Sequence, residues 1–273
     1  MKQAKMRALV NGWLRRTYTV IPIALFALIA GDAAAQAYPN KPIRIIVPGS
    51  AGGGSDQVAR IVAQYLASAV GQQVIVDNRG GGGGTIGTEL AAKASPDGYT
   101  LVLPTLSHAT NSSLYRKPSF DPIKDFASIT QVTAQHYILV VHPSVPAKTV
   151  KEFIAVAKSK QGGITYASSG SGEAGHIGME LLKTLAGFDA VHVPYKGTAP
   201  SMVDTLSGQV DVTLVSTPGG LPHVKAGRLR ALAVSSLKRS ALLPDVPTVA
   251  ETGFPGYEVN GWKGLLAPAG TPR

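Results

Sequence analysis

The sequence predicts an α/β protein with two halves, each built on a parallel sheet flanked by helices. Short β-rich runs alternate with segments in which apolar residues recur at helical spacing, and this alternation is typical of parallel sheets. Glycine-rich turns separate many of the runs. The 273 residues include 31 glycines and no cysteine, so disulfides, thiolate metal sites and thiol nucleophiles are excluded.

The first 37 residues have the layout of a secretory signal peptide. A basic start is followed by an apolar run over residues 20–30 and by Ala35-Gln36-Ala37, a small-residue cleavage site. We expect cleavage before Tyr38. The apolar run is too short to span a bilayer, and Arg15-Arg16 leaves open whether export uses the general or the twin-arginine route.

The charge and composition favour a small ligand over nucleic acid. The net charge is +10 and aromatic residues make up 6% of the chain. After the signal segment there is no run of five basic residues, so a basic stripe with stacking aromatics is absent and we predict no nucleic-acid partner. The positive balance suits an anionic small molecule or simply an exported protein.

The predicted first half contains three strands and two helices. A β-rich run at 43–47 precedes apolar residues that recur from 58 to 69 at spacings of three and four, which predicts an amphipathic helix. Ser55 or Asp56 is a candidate cap for its start, and Gly71 is a candidate end. A strand at 74–76, a helix from 85 to 94 and a strand at 99–103 follow.

The second half continues the alternation after a change-over near residues 140–146. Thr149 and Glu152 form a capping box, which predicts the start of a helix. The helix after Gly172 is predicted to turn Ile177, Leu181, Leu182 and Leu185 toward the core, and Pro200 lies in the first turn of the next helix. Strands are predicted at 137–141, 164–167, 191–193, 210–215 and 229–234.

Glycine-rich strand-to-helix turns occur in both halves. Such turns expose backbone N–H groups, and the helix that follows adds a positive partial charge, so they are suited to carboxylate or phosphate. In open α/β sheets ligands bind where these turns lie, at the carboxyl ends of the strands. For any single loop, glycines that serve only a tight turn are an equal alternative.

Several short motifs match cofactor or metal sites without their required context. Glycines 82, 84 and 87 fit the dinucleotide fingerprint, but five consecutive glycines make that match unavoidable and the acid expected about twenty residues later is missing. There is no phosphate-loop motif and no HExxH motif. Ser235-x-x-Lys238 lacks the further motifs of a serine–lysine enzyme. We predict no cofactor and no metal.

Some loop residues have two interpretations each. The serines at 107, 168, 169 and 171 could be nucleophiles, yet none lies in a GxSxG elbow. An exported serine hydrolase stays an alternative, because triads form in space and not in sequence. His176 contacts either an anion or its own loop. Asp56 is a helix cap or a ligand contact, and Lys196 is solvated or pairs with a ligand carboxylate.

A series of co-linear motifs resembles the substrate-binding proteins of tripartite tricarboxylate transporters, also called Bug receptors. They include YPNKPIRIIVPGSAGGGSDQVAR, VDNRGGGGGTIG, SPDGYTL, YASSGSGEAGHIGMELL, VHVPYKGTAPSMVDTLSGQVD and LPDVPTVAETGFPGYEVNGWKGLLAPAGTP. The resemblance covers nearly all of the chain after residue 37. It departs at the five glycines, where the family has a Pro-Gly-Ala-Gly-Gly type of turn.

The resemblance implies a periplasmic two-domain clamshell of type II without catalysis, each domain a mainly parallel sheet flanked by helices. Domain 1 would comprise 38–141 and 254–273, and domain 2 would comprise 142–253. Family members continue past PAGTP with helices that return to domain 1, so that domain is expected to be truncated here. A carboxylate would be held between the domains by loop amides, hydroxyls and waters.

The site residues that the resemblance implies come from both domains. From domain 1 they are Gly49, Ser50, Ala51, Gly53, Ser55, Asp56, Asn78, Gly84, Thr105 and Ser107. From domain 2 they are Ser168, Ser169, Gly170, Ser171, His176, Tyr195, Lys196, Gly197, Thr198, Ser216 and Thr217. The implied partners are a small carboxylate solute and the membrane subunits of the transporter, with the receptor as a monomer. A receptor that feeds a signalling pathway is the alternative to transport.

Overall fold

Two sheets that share one long strand organise the chain. The computed structural model describes residues 38–116 and 119–272, so the predicted signal peptide and its cleavage site lie outside the described residues. The described residues from Lys41 onward form one compact unit. Strands and helices alternate through it as predicted, although several boundaries and two strands differ from the sequence-based expectation.

The first sheet is parallel at its centre. Strand β1 lies between β2 and β3 and runs parallel to both, and β9 joins β3 antiparallel. Isoleucines and valines of β1 are fully buried beneath the first helix, whose alanines at 59 and 63 face them. The elements are β1 (Ile43–Val47), α1 (Gly54–Val70), β2 (Val74–Asn78), α2 (Thr85–Ala92), β3 (Thr100–Val102), α3 (Ser107–Leu114) and β9 (Asn260–Pro268).

The second sheet holds the larger core. Strand β5 is parallel to both β6 and β7, and Phe153, Tyr166, Met179 and Tyr257 are buried against it. Its elements are α4 (Val150–Ser159), β5 (Ile164–Ser168), α5 (Ala174–Ala186), β6 (Ala190–Pro194), α6 (Thr198–Leu206), β7 (Val212–Ser216), α7 (Thr217–Lys225) and β8 (Arg230–Val234).

Strand β4 (Phe126–Val141) belongs to both sheets. Up to His136 it pairs antiparallel with β9, and from Tyr137 it pairs antiparallel with β7 and β8. The sequence predicted only its last five residues and did not predict β9. The first part of β4 is polar and half-exposed, so it lacks the apolar pattern by which buried strands are recognised.

The buried face of α5 differs from the predicted one. Met179 and Leu182 are fully buried, but Leu181 and Leu185 are 38% and 51% exposed, so the prediction that these two leucines face the core was wrong. The small residues Ala174, Gly175 and Gly178 share the buried face. Small residues let the helix approach β7 closely, which a pattern of large apolar residues cannot reveal.

Helix starts were predicted correctly at α4 and incorrectly at α1. Gly53 precedes α1 and no side chain caps it, so neither Ser55 nor Asp56 is the cap. At α4 the Thr149 hydroxyl accepts the Glu152 N–H at 3.1 Å. The Glu152 carboxylate accepts the N–H of Lys148, which lies just before the cap, so two otherwise unpaired donors at this helix start are satisfied.

We expect Thr149→Ala to lower the free energy of unfolding by about 1 kcal/mol, because the Glu152 N–H loses its acceptor. Thr149→Ser keeps a hydroxyl at the same place and should retain most of the stability. Urea unfolding followed by circular dichroism measures both variants. Equal losses in the two would mean that the methyl group, and not the cap, stabilises this helix start.

Candidate functional site

A small cavity lies where the loops after β1, β3, β5, β6 and β7 meet. Its floor is formed by side chains of the two crossing strands, Gln135 and Tyr137 on β4 and Trp262 and Lys263 on β9. This is the carboxyl-end edge of the parallel strands, where ligands of α/β proteins bind. The remaining lining residues are Pro48, Gly49, Ser50, Gly53, Gly54, Ser55, Thr105, Ser169, Glu173, Gly197, Thr198, Ser201, Thr213, Leu214, Val215 and Ser216.

The loops of the two sheets touch each other around the cavity. The Thr110 hydroxyl donates to the Gly172 carbonyl at 2.7 Å. Gly83, with φ +60°, lies so close to Ser171 that a Cβ on it would overlap the Ser171 carbonyl oxygen. Gly197, with φ +142°, approaches the backbone nitrogen of Ser50 in the same way. The structure therefore shows the two sheets closed on one another.

Lys263 brings a positive charge into the cavity. Its side chain belongs to β9 and the residue is 3% exposed. Among the described residues no hydrogen bond or ion pair reaches its ammonium group. Burial lowers the pKa of Lys263 to about 8, and the negative charge of Glu173 acts against this shift. A largely buried lysine whose ammonium group has no partner in the protein is suited to bind an anion.

Glu173 brings a carboxyl group into the same cavity. Its Oε1 accepts hydrogen bonds from the hydroxyls of Thr105 at 2.7 Å and Ser107 at 3.0 Å. Burial raises the pKa of Glu173, while the two hydroxyls and Lys263 act in the opposite direction. Because Thr105 and Ser107 follow β3 and Glu173 precedes α5, these bonds join the two sheets.

Comparison with known proteins agrees with this architecture. Residues 58–273 match a family model described as the tripartite tricarboxylate transporter family receptor. The chain belongs to this family. It is 36% identical over 263 residues to protein BugT of Bordetella pertussis, in a match that covers 94% of this chain and 81% of that protein.

Two solved structures resemble the receptor closely. Periplasmic binding protein BugD is 38% identical, with a TM-score of 0.82, over 86% of this chain and 79% of that chain. MatC from Rhodopseudomonas palustris with bound malate is 32% identical, with a TM-score of 0.81, over 86% of this chain and 80% of that chain. The predicted family and the two-domain periplasmic binding protein clamshell are confirmed.

Nine of the predicted site residues line the cavity of the receptor. They are Gly49, Ser50, Gly53, Ser55, Thr105, Ser169, Gly197, Thr198 and Ser216. The other twelve lie around it without lining it, namely Ala51, Asp56, Asn78, Gly84, Ser107, Ser168, Gly170, Ser171, His176, Tyr195, Lys196 and Thr217. Their roles as ligand contacts stay predictions, and several have a partner within the protein.

Asp56 holds the turn before α1. Its Oδ2 accepts the Gly52 N–H at 2.9 Å and the Nε of Arg60 at 3.0 Å. Burial alone would raise the pKa of Asp56, but these hydrogen bonds bring it below its ordinary value. The carboxylate is therefore engaged in keeping the shape of the loop that forms one wall of the cavity.

Ser168 and His176 hold the loop after β5. The Ser168 hydroxyl lies 2.6 Å from Nε2 of His192, and Nδ1 of His176 accepts the Gly172 N–H at 3.1 Å. Ser168 is 1% exposed and does not line the cavity. A nucleophile would have to reach a substrate there, so this pair gives the serine hydrolase hypothesis no support.

Sequence reasoning missed the lysine and the glutamate that line the cavity. Lys263 follows Trp262 and precedes the apolar run from Gly264 to Pro268, and a charge in an apolar strand is costly unless it is used. That signal was available in the sequence. Glu173 gave no comparable signal, because acidic residues are common just before a helix, where they interact favourably with the helix dipole.

Neither a membrane-spanning helix nor a metal cluster occurs among the described residues. Across 38–116 and 119–272, no helix combines the length and hydropathy needed to cross a bilayer. In the same ranges, no three His, Asp or Glu side chains are grouped as ligands for a metal ion.

His176 and His192 are stacked behind the loop after β5. Their ring centroids are 4.2 Å apart, and the ring of Tyr166 stacks on His192 at 4.7 Å. Burial and the neighbouring His176 lower the pKa of His192 to about 4, and burial lowers that of His176. Both imidazoles are therefore neutral at neutral pH.

We expect the receptor to lose stability between pH 6.5 and 4. The unfolded chain protonates His192 at its ordinary pKa of about 6.5, whereas the folded receptor does so only near 4. The unfolded state therefore binds more protons than the folded state in this window. Lowering the pH thus stabilises the unfolded state relative to the folded one. Melting temperatures of the receptor at pH 7 and pH 5 measure the effect.

His192→Gln should flatten this part of the pH dependence, because glutamine does not titrate. His136→Gln is the matched control, since His136 is exposed and its replacement should leave the slope unchanged. If His192→Gln loses as much stability between pH 7 and 5 as the unaltered receptor, the stacked pair is not the acid-sensitive group.

Proposed function

We propose that the receptor captures a small carboxylate in the periplasm, in the cavity between its two sheets, and delivers it to the membrane subunits of a tripartite tricarboxylate-type transporter. The observation that carries this proposal is the side chain of Lys263, which is buried in the lining of the cavity and whose ammonium group has no hydrogen-bond or ion-pair partner among the described residues. A bound carboxylate would supply the missing counter-charge.

A second polar group of the cavity also lacks a partner. The hydroxyl oxygen of Ser50 is buried and forms no hydrogen bond with the described residues. A buried hydroxyl left unsatisfied costs about 1–3 kcal/mol, which a ligand oxygen would recover. Ser50 and Lys263 therefore offer one neutral and one charged hydrogen-bond donor to the same small ligand.

The delivery step is supported by the family and by the closed loops. The family model names a transporter receptor, and MatC, which shares the fold, is a relative with bound malate. Closure brings surfaces of both domains side by side, and a membrane partner can recognise that joint surface. The signal-peptide layout of residues 1–37 supports a periplasmic location.

A thermal-shift and calorimetry screen tests the proposal. The panel contains mono-, di- and tricarboxylates and amino acids, each beside its neutral amide or ester. At about a hundred times its Kd, the correct acid should stabilise the receptor by about 2.7 kcal/mol, and its neutral analogue should not. Stabilisation by no acid, or equal stabilisation by the neutral analogue, would contradict carboxylate binding.

Uptake of the identified acid tests delivery. Cells that carry the transporter subunits should accumulate the labelled acid when the receptor is present and not when it is deleted. Uptake that is unaffected by the deletion, together with normal binding in solution, would favour a role in signalling.

A further inference from the structure

Four apolar side chains are exposed beside the line along which the loops of the two sheets touch. Ile86 and Leu90 lie one turn apart on α2, so they share one face of that helix. Leu114 ends α3 and Tyr115 follows it. Their exposed fractions are 55%, 39%, 46% and 37% in that order. Exposed apolar groups that are collected in one place, and not scattered singly, indicate an interaction site.

Contacts around the glycine run join these side chains into one surface. A Cβ placed on Gly82 would lie 3.8 Å from Cγ1 of Ile86, and the Tyr115 hydroxyl donates to the Gly82 carbonyl at 3.2 Å. Ile86 and Tyr115 therefore flank the same residue. Helix α2 packs against α3, Leu114 directly precedes Tyr115, and Leu90 lies one turn after Ile86. We call these four side chains the seam patch.

The seam patch reaches the loops of the second sheet. A Cβ on Gly172 would lie 2.9 Å from Cδ1 of Leu114, and the Thr110 hydroxyl of the same helix donates to the Gly172 carbonyl. At the other end of the glycine run, the carbonyl oxygen of Lys196 lies 2.5 Å from the place of a Cβ on Gly80. Because Gly172 and Lys196 belong to the second sheet, this surface is complete only when the two sheets are closed on one another.

The rim of the seam patch has a positive balance. Arg116 and Lys196 are exposed, and among the described residues neither side chain forms an ion pair or a hydrogen bond. The acids of the neighbouring elements have partners: Asp77 on β2 and Glu89 on α2 are in ion pairs, and Asp204 on α6 accepts a tyrosine hydroxyl. The two cations are therefore available to carboxylates of a partner.

We propose that the closed receptor docks on the membrane subunits through the seam patch, and that the occupant is an acidic loop of those subunits with apolar side chains at its tip. The apolar tip would pack on the patch, and the carboxylates of the loop would pair with Arg116 and Lys196. An apolar centre with a charged rim is the usual anatomy of a protein interface. The inference rests on the proposed function, because it requires a transporter that receives the acid.

Another exposed apolar pair lies on the first sheet's own helix. Ile61 and Tyr65 are 57% and 74% exposed, two and three turns after the start of α1. A partner that bound this pair would meet the same surface whether the loops were closed or open. The seam patch is interrupted when the loops separate, so a partner that binds it distinguishes the closed receptor from the open one.

Uptake by reconstituted membrane subunits tests the docking surface. Energised proteoliposomes that contain these subunits take up the labelled acid identified by the screen, and the receptor is added outside at increasing concentration. Ile86→Ser and Arg116→Glu should each raise the receptor concentration for half-maximal uptake at least about tenfold. Each should keep the Kd for the acid within about threefold, as is usual for exposed residues.

Two exposed residues away from the seam patch provide matched controls. Ile61→Ser removes an apolar side chain of the same size from α1, and Lys151→Glu reverses an exposed charge on α4. Both should keep the half-maximal concentration of the unaltered receptor. Raising NaCl from about 0.05 to about 0.3 M should weaken docking of the unaltered receptor but not of Arg116→Glu, because salt screens attraction in the first and repulsion in the second.

The outcomes separate this inference from the proposed function. If uptake depends on the receptor and both seam-patch variants behave like their controls, the docking surface is wrong and the proposed function stands. If the receptor binds the acid but uptake does not require it, delivery and docking both fail. If sedimentation shows that the acid-loaded receptor dimerises and that Ile86→Ser abolishes the dimer, the seam patch is a contact between copies and the inference is overturned.

Discussion

Lys263→Met should abolish measurable binding of organic acids. Methionine approaches the length of lysine but removes the charge that pairs with the ligand carboxylate. Loss of one partner of a buried charge pair costs about 2 kcal/mol or more, which is roughly 30-fold or more in Kd. The free receptor loses both the cost of burying the ammonium and its interaction with Glu173, so its melting temperature is measured beside its affinity. Calorimetry and thermal unfolding measure the two effects.

Lys196→Met is the control for this experiment. Lys196 was predicted as a site residue, but it is exposed and does not line the cavity. Its replacement should change affinity by less than about threefold, as is usual for exposed charges. A larger loss at Lys196 than at Lys263 would place the ligand carboxylate at the turn after β6 and contradict the proposed site.

Gly83→Ala should prevent the loops from closing. At φ +60° an L-residue is strained, and the added Cβ would also overlap the Ser171 carbonyl oxygen. The loop must move away from the loop after β5, so the closed state loses stability and affinity should fall at least about tenfold. Small-angle scattering should show no decrease in radius of gyration on adding ligand.

Gly187→Ala separates backbone strain from the contact. Gly187 has φ +62°, and a Cβ added to it would meet no atom within 4 Å, so it bears the same strain at the end of α5 without any clash. It should lose stability but keep its affinity for the ligand. Equal affinity losses in both variants would mean that strain, and not the contact between the two loops, is responsible.

The fold was predictable where burial is continuous. The strands β1, β5 and β7 are short apolar runs between helices with a clear apolar face, and each was found near its observed position. The polar part of β4 was missed because its hydrogen-bond partner, β9, lies more than a hundred residues away in the chain. Pairing of that kind leaves no local pattern.

The walls of the cavity were predictable where backbone geometry determines them. Glycine-rich turns after strands indicated the walls of the cavity, and Ser50, Gly53, Gly197 and Thr198 do line it. The places of Glu173 and Lys263 in the cavity could not be predicted from the residues next to them in the sequence. Glu173 and Lys263 meet only because β9 returns to the first sheet beside the loop that precedes α5, and that proximity is a property of the tertiary structure.

The strands at the floor of the cavity, β4 and β9, lie where the chain passes from one sheet to the other. The described chain passes between the sheets along β4 and again on the way to β9, so any rotation of one sheet against the other bends these segments. Gln135, Tyr137, Trp262 and Lys263 lie there. A ligand bound in the cavity would lie at the hinge between the two sheets, where a small displacement produces a larger movement at the loop tips.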